Sequence, residues 1–118
     1  MLIGELKEIL SAEVYCCEDM MDYEIHTACG SDMMSEVLAY VKDQSVLLTG
    51  LLNPQVVRTA EMMDMQCIVF VRGKAPTEAI LELAMERGIC VLSTKCTMFT
   101  ACGLLYQNGL GGGGVVNG

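Results

Sequence analysis

The chain holds 118 residues, one domain's worth, and that length can bury a core without disulfide staples. Its composition, 53% hydrophobic and 19% charged, excludes a disordered or low-complexity protein, and no apolar run reaches the ~18 residues of a membrane span. A net charge of −8, with ten of the fifteen acidic residues inside positions 1–43, excludes a nucleic-acid partner, whose phosphates demand clustered cations.

Residues 3–10 have the period of a short amphipathic helix, with Leu6, Ile9 and Leu10 on one face and Glu5 and Glu8 away from it. Residues 13–17 (EVYCC) and 23–29 (YEIHTAC) flank an acidic cluster and are predicted as two short β segments joined as a β-hairpin. Ser31 or Asp32 can cap the next helix, whose apolar stripe is Met34, Val37, Leu38 and Val41. VLLT (46–49) is a short apolar strand that ends at Gly50. Asn53 as cap and Pro54 at the first helical position then start a helix that runs to about Asp64. CIVFV (67–71) is apolar at every position, as strands covered on both faces are. After Arg72-Gly73-Lys74, Pro76 opens a helix that stops at Gly88. ICVLS (89–93) is the third strand, and a last helix spans about 97–106.

The three strand starts, 46, 67 and 89, are 21 and 22 residues apart, the rhythm of strand–helix units that join parallel strands. The fold class is therefore α/β: a three-layer α/β/α domain with a mostly parallel core sheet and helices on both faces. An irregular N-terminal helix plus β-hairpin is expected beside it. Residues 1–110 form the single domain, and 111–118 (GGGGVVNG) form a flexible Gly-rich tail.

Open parallel sheets bind ligands beyond the carboxyl ends of their strands, where loops meet helix N-termini. Arg72, Lys74 and Lys95, three of only seven basic residues, fall on that one edge. The candidate ligand site is thus an anion or nucleotide-phosphate pocket of Arg72, Gly73, Lys74, Thr94 and Lys95. Thr49, Gly50 and Asn53 are its hydrogen-bonding neighbours, with Ser31 and Asp32 at the head of the preceding helix.

Catalytic signatures are missing: no Walker A, GxGxxG, GxSxG or HExxH motif occurs, and His26 lies alone in a predicted strand. A small transferase or hydrolase built on Asp32 and His26 requires those side chains to meet within about 3 Å. Seven cysteines, odd in number, irregular in spacing and without a CxxC, fit reduced thiols in a cytoplasm better than a secreted scaffold. No metal site and no cofactor is expected. An alternative reading makes the chain an accessory protein of an anaerobic redox complex, with Cys16, Cys17, Cys29, Cys96 or Cys102 holding a cluster or switching redox state. The opening MLIGELKEIL carries two Glu and no basic leader, so no signal peptide is expected either.

The segments SDMMSEVL (31–38), LLTGLLNPQVVRTAEM (47–62), IVFVRGKAPTEAILELAMERGICVLST (68–94) and FTACGLLY (99–106), in this order, resemble the DRTGG domain family over residues 1–110. That family's fold is similar to the N-terminal domain of HPr kinase/phosphorylase. The resemblance implies a non-catalytic regulatory or nucleotide-responsive domain, a homo-oligomer (a dimer) acting on a partner enzyme; the kinase's phosphate-binding loop is missing here. The namesake Asp-Arg falls around Leu52-Asn53 and the Thr-Gly-Gly around Val71-Arg72-Gly73, so only the last glycine is kept.

Overall fold

The computed structural model describes residues 1–40 and 45–112. Among the described residues, five helices, α1 (Ile3–Leu10), α2 (Met34–Tyr40), α3 (Gln55–Met62), α4 (Glu78–Arg87) and α5 (Met98–Gln107), surround five strands. These are β1 (Glu13–Cys16), β2 (Thr27–Gly30), β3 (Ser45–Thr49), β4 (Cys67–Phe70) and β5 (Cys90–Ser93). The sheet order is β1-β5-β4-β3-β2; β2 to β5 run parallel, and β1 is antiparallel to β5.

Every residue of β3, β4 and β5 is buried, and alternate side chains enter two different cores. Val46, Leu48, Cys67, Val69, Cys90 and Leu92 face α1 and α5, where Ile3, Leu6, Leu10, Ala101 and Leu105 meet them. Leu47, Ile68, Phe70 and Val91 face the other way, against Val37, Val56, Val57, Ala60, Ile80 and Ala84 of α2, α3 and α4. Crossovers of one hand between strands laid down in consecutive order put their helices on one side. The opposite face is left for α1 and α5, which completes the three layers.

Local chemistry sets the element ends. Thr77 and Thr97 are extended, and their hydroxyls accept the Ile80 and Thr100 amides as N-caps. Gly88 closes α4 in the left-handed conformation that glycine adopts freely. Helix α3 starts one residue later than the sequence suggests, at Gln55, whose amide is bonded to Asn53 Oδ1 at 2.8 Å.

The N-terminal third is not a hairpin set beside the sheet. Strands β1 and β2 occupy opposite edges, so the chain between them crosses under the sheet. Four strand spacings are about 19 Å, well within the reach of the ten intervening residues. Met20 and Ile25 anchor the crossing in the α1/α5 core. The free amides at the head of α1 bind it as well: Ile3 N–H donates to the Tyr23 carbonyl and Gly4 N–H to that of Met21. The acidic cluster holds a short 3₁₀ turn, Glu18–Met20, and runs along the start of α1 rather than folding back. On α2, Met34 and Val37 are buried, Leu38 is exposed, and Val41 lies outside the described residues. Most of the 111–118 tail lies outside them too, but the Gly111 carbonyl accepts the Ala28 amide at 2.9 Å on the free edge of β2.

Candidate functional site

Because β2, β3, β4 and β5 lie side by side in chain order, their four exit loops share one rim. Gly50 is its centre. The β2–β3 register pairs Gly30 with Leu48, and the same offset carries Asp32 to Gly50. Asp32 Oδ1 accepts the Gly50 amide at 2.7 Å and the Thr49 hydroxyl at 3.1 Å. The Gly50 carbonyl accepts Lys74 Nζ at 2.9 Å. The Arg72 guanidinium lies against the glycine Cα, where an added Cβ would stand 2.2 Å from its terminal nitrogen. Gly50 is buried and has no left-handed φ, so what glycine supplies here is room for the Arg72 guanidinium rather than a special backbone turn.

The β4 exit is strained. Arg72 (φ 64°) and Gly73 (φ 69°) are successive left-handed residues, as in a type I′ turn, which suits Gly73 and costs a residue like Arg72 about 1–2 kcal/mol. Their amides bond the β5 exit, Arg72 N–H to the Cys96 carbonyl and Gly73 N–H to that of Thr94, both at 2.8 Å. Ser93 Oγ donates to the Lys74 carbonyl at 2.7 Å and ties the loop's far end. Lys95 is exposed, and its Cγ is 3.9 Å from where a Gly73 Cβ would stand.

Bonding with the Gly50 amide is the main reason the Asp32 carboxyl is held below its usual range, with the Thr49 hydroxyl and the Arg72 and Lys74 charges adding to it. Asp32 is therefore ionised at neutral pH. Its carboxylate bonds Thr49 and Gly50 instead of α2, while Ser31 closes a local turn just before that helix, its Oγ accepting the Met33 amide at 3.0 Å.

The structure thus gathers Asp32, Thr49, Gly50, Arg72 and Lys74, and brings up Gly73 and Lys95 through the β5 exit. Three other candidates have side chains engaged in the fold. The Thr94 hydroxyl, buried, donates to the Leu10 carbonyl at 2.7 Å; Asn53 serves the start of α3, and Ser31 that of α2. Ser93, which the sequence places at the end of the third strand but not among the site residues, joins them. The parallel register with Phe70 places it beside the β4 exit, a non-local fact that a single sequence does not display.

The DRTGG domain family model matches residues 5–107. The chain belongs to the DRTGG domain family. Among solved structures, the DRTGG domain described here is similar to the CBS and DRTGG domains of the regulatory region of Clostridium perfringens pyrophosphatase, complexed with the activator diadenosine tetraphosphate. The TM-score is 0.71 at 20% identity, over 86% of this chain and 44% of that one, a likeness of fold. The chain therefore spans less than half the length of that neighbour. Among curated proteins nothing matches. Gly73 is the second left-handed residue of the strained turn.

Elsewhere in the DRTGG domain, His26 is exposed before β2 while Asp32 follows its end, so the two stand at opposite ends of a strand and cannot share a proton. Cys67 and Cys90 pair in register between β4 and β5 in one core, and Cys16 packs in the other. Burial pushes the Cys16 thiol up to about 12, with Cys17 adding to the shift. Cys29 lies on β2, Cys96 in the β5 exit and Cys102 on α5. Among the described residues no three His, Cys, Asp or Glu side chains converge as metal ligands, and no helix is long and apolar enough to cross a membrane.

Proposed function

We propose that this DRTGG domain is a non-catalytic regulatory module that binds an anionic small molecule, a nucleotide or another phosphate ester, at the Gly50 rim and acts on a partner enzyme. The observation that carries this is the strained turn, which holds Arg72 and Lys74 over one backbone unit in a protein of net charge −8. Strain of this kind persists where the surroundings enforce it, and it concentrates at binding sites. The family and the regulatory neighbour with its nucleotide activator support the reading. Thermal unfolding tests it: adenosine monophosphate or phosphate at 100 times its dissociation constant adds about 2.7 kcal/mol. Arg72→Ala together with Lys74→Gln should abolish the shift. A set of nucleotides and phosphate esters that moves the transition nowhere would end the proposal.

We place the module in the cytoplasm, where its seven free thiols stay reduced, and we assign it a homodimer through the outer face of α5. Helix α5 carries no charged residue, and Phe99 and Tyr106 are 88% and 71% exposed. On an acidic protein this is the face where two copies meet without charge repulsion. Phe99→Glu should convert a dimer to monomer in sedimentation velocity. A wild-type monomer at all concentrations would refute the assignment.

A further inference from the structure

Within the rim, charge is unevenly committed. Asp32 makes both of its hydrogen bonds through Oδ1, to the Thr49 hydroxyl and the Gly50 amide, and Oδ2 has no hydrogen-bond partner among the described residues. None of the ion pairs among those residues includes Asp32, Arg72, Lys74 or Lys95. The carboxylate and the cations therefore face the same rim across Gly50 without a direct ion pair between them. Lys74 is held by the Gly50 carbonyl, while the side chains of Arg72 and Lys95 are exposed.

A bare polyanion fits such a rim poorly, because its negative charge meets the free carboxylate oxygen as well as the cations. An ionised carboxylate is acceptor-only, and what it binds is a donor. We infer that the ligand of the Gly50 rim carries a sugar hydroxyl next to its phosphate, with the hydroxyl donating to Asp32 Oδ2 and the phosphate lying against Arg72, Lys74 and Lys95. This rests on the anion-binding function proposed above and narrows it from anions in general to hydroxyl-bearing phosphate esters. A carboxylate beyond a parallel strand that accepts from a sugar hydroxyl is a known solution in doubly wound nucleotide folds. Here it arises on a different strand order, from the β2 exit.

Isothermal titration of the full chain with four probes tests the inference: adenosine monophosphate, its 2′,3′-dideoxy analogue, ribose 5-phosphate and inorganic phosphate. A hydrogen bond to a charged acceptor should make adenosine monophosphate bind on the order of ten-fold more tightly than the dideoxy analogue. Ribose 5-phosphate, which has the hydroxyls without the base, tells whether a sugar phosphate suffices or a nucleotide is needed; tight binding of either hydroxyl-bearing ester supports the inference. Asp32→Asn keeps an oxygen for the Gly50 amide but removes the charge. It should erase most of the hydroxyl preference and tighten inorganic phosphate, two effects of opposite sign. Lys74→Gln should weaken all phosphate probes alike and leave the preference intact. Equal binding of the dideoxy analogue and its parent, or weaker phosphate binding by Asp32→Asn, would overturn the hydroxyl assignment while leaving the anion site standing. Failure of every probe to bind the wild-type chain would overturn both.

Discussion

Gly50 joins three side chains through three different parts of one residue: its amide to Asp32, its carbonyl to Lys74, and its bare Cα to Arg72. The clash an added methyl would make is with the far end of a flexible side chain, so it costs little stability. Gly50→Ala should unfold within about 1 kcal/mol of wild type, the range of substitutions without a buried defect, yet lose anion affinity as Arg72 is expelled. Calorimetric melting and titration on one sample separate the two effects. Arg72→Asn should be at least as stable as wild type, because Asn tolerates the left-handed conformation that Arg72 is forced to adopt. Binding should nonetheless fall, and a variant both less stable and fully competent would contradict the role given to Arg72. The folded Asp32 carboxyl titrates below its usual value, so its bonds stabilise the fold above about pH 4 and that contribution is lost as the pH falls through the folded value. Chemical denaturation should show Asp32→Asn less stable than wild type at pH 7, with the gap closing below about pH 4. A gap that widens on acidification would contradict this.

The elements after Ser45 were readable from the chain to within about two residues, because apolar runs, Asn53-Pro54, Pro76, Gly88 and Thr97 are local signals whose mechanism acts within one turn; the helix after Pro76 begins at Glu78, with Thr77 rather than Pro76 at its head. The segments before Met34 were readable as strands but not as neighbours. Strand type depends on side chains, whereas pairing depends on which other backbone lies alongside, and here β1 found β5 while β2 found β3. The capping role open to Asp32 at a helix start yields for the same reason: the β2–β3 register places its carboxylate against Gly50, the neighbour the sequence groups it with. Buried thiols follow from the strand pattern, since Cys16, Cys67 and Cys90 lie in fully covered positions. Native alkylation at pH 8 followed by mass spectrometry should label none of these three, leaving at most the four half-buried thiols to react. Rapid modification of Cys16 in the folded protein would contradict its burial and its raised titration.

The whole architecture converts chain order into proximity. Parallel strands laid down consecutively align their exits, so residues 18 to 24 positions apart in the chain become neighbours on one rim. The gathering of Arg72, Lys74 and Lys95 on that rim was readable from the strand–helix rhythm alone. What was not readable was the inward commitment of Thr94 to Leu10 or the crossing of residues 17–26 beneath the sheet, both set by tertiary contact with α1. The most direct measurement is an amide ¹H–¹⁵N correlation titration of the full chain with adenosine monophosphate. Saturable shifts at Asp32, Gly50, Gly73 and Lys74, lost in Arg72→Asn, are the predicted result. Shifts confined to α5, or to the α1–β1 cleft lined by Lys7, Glu8 and Glu13, would contradict it.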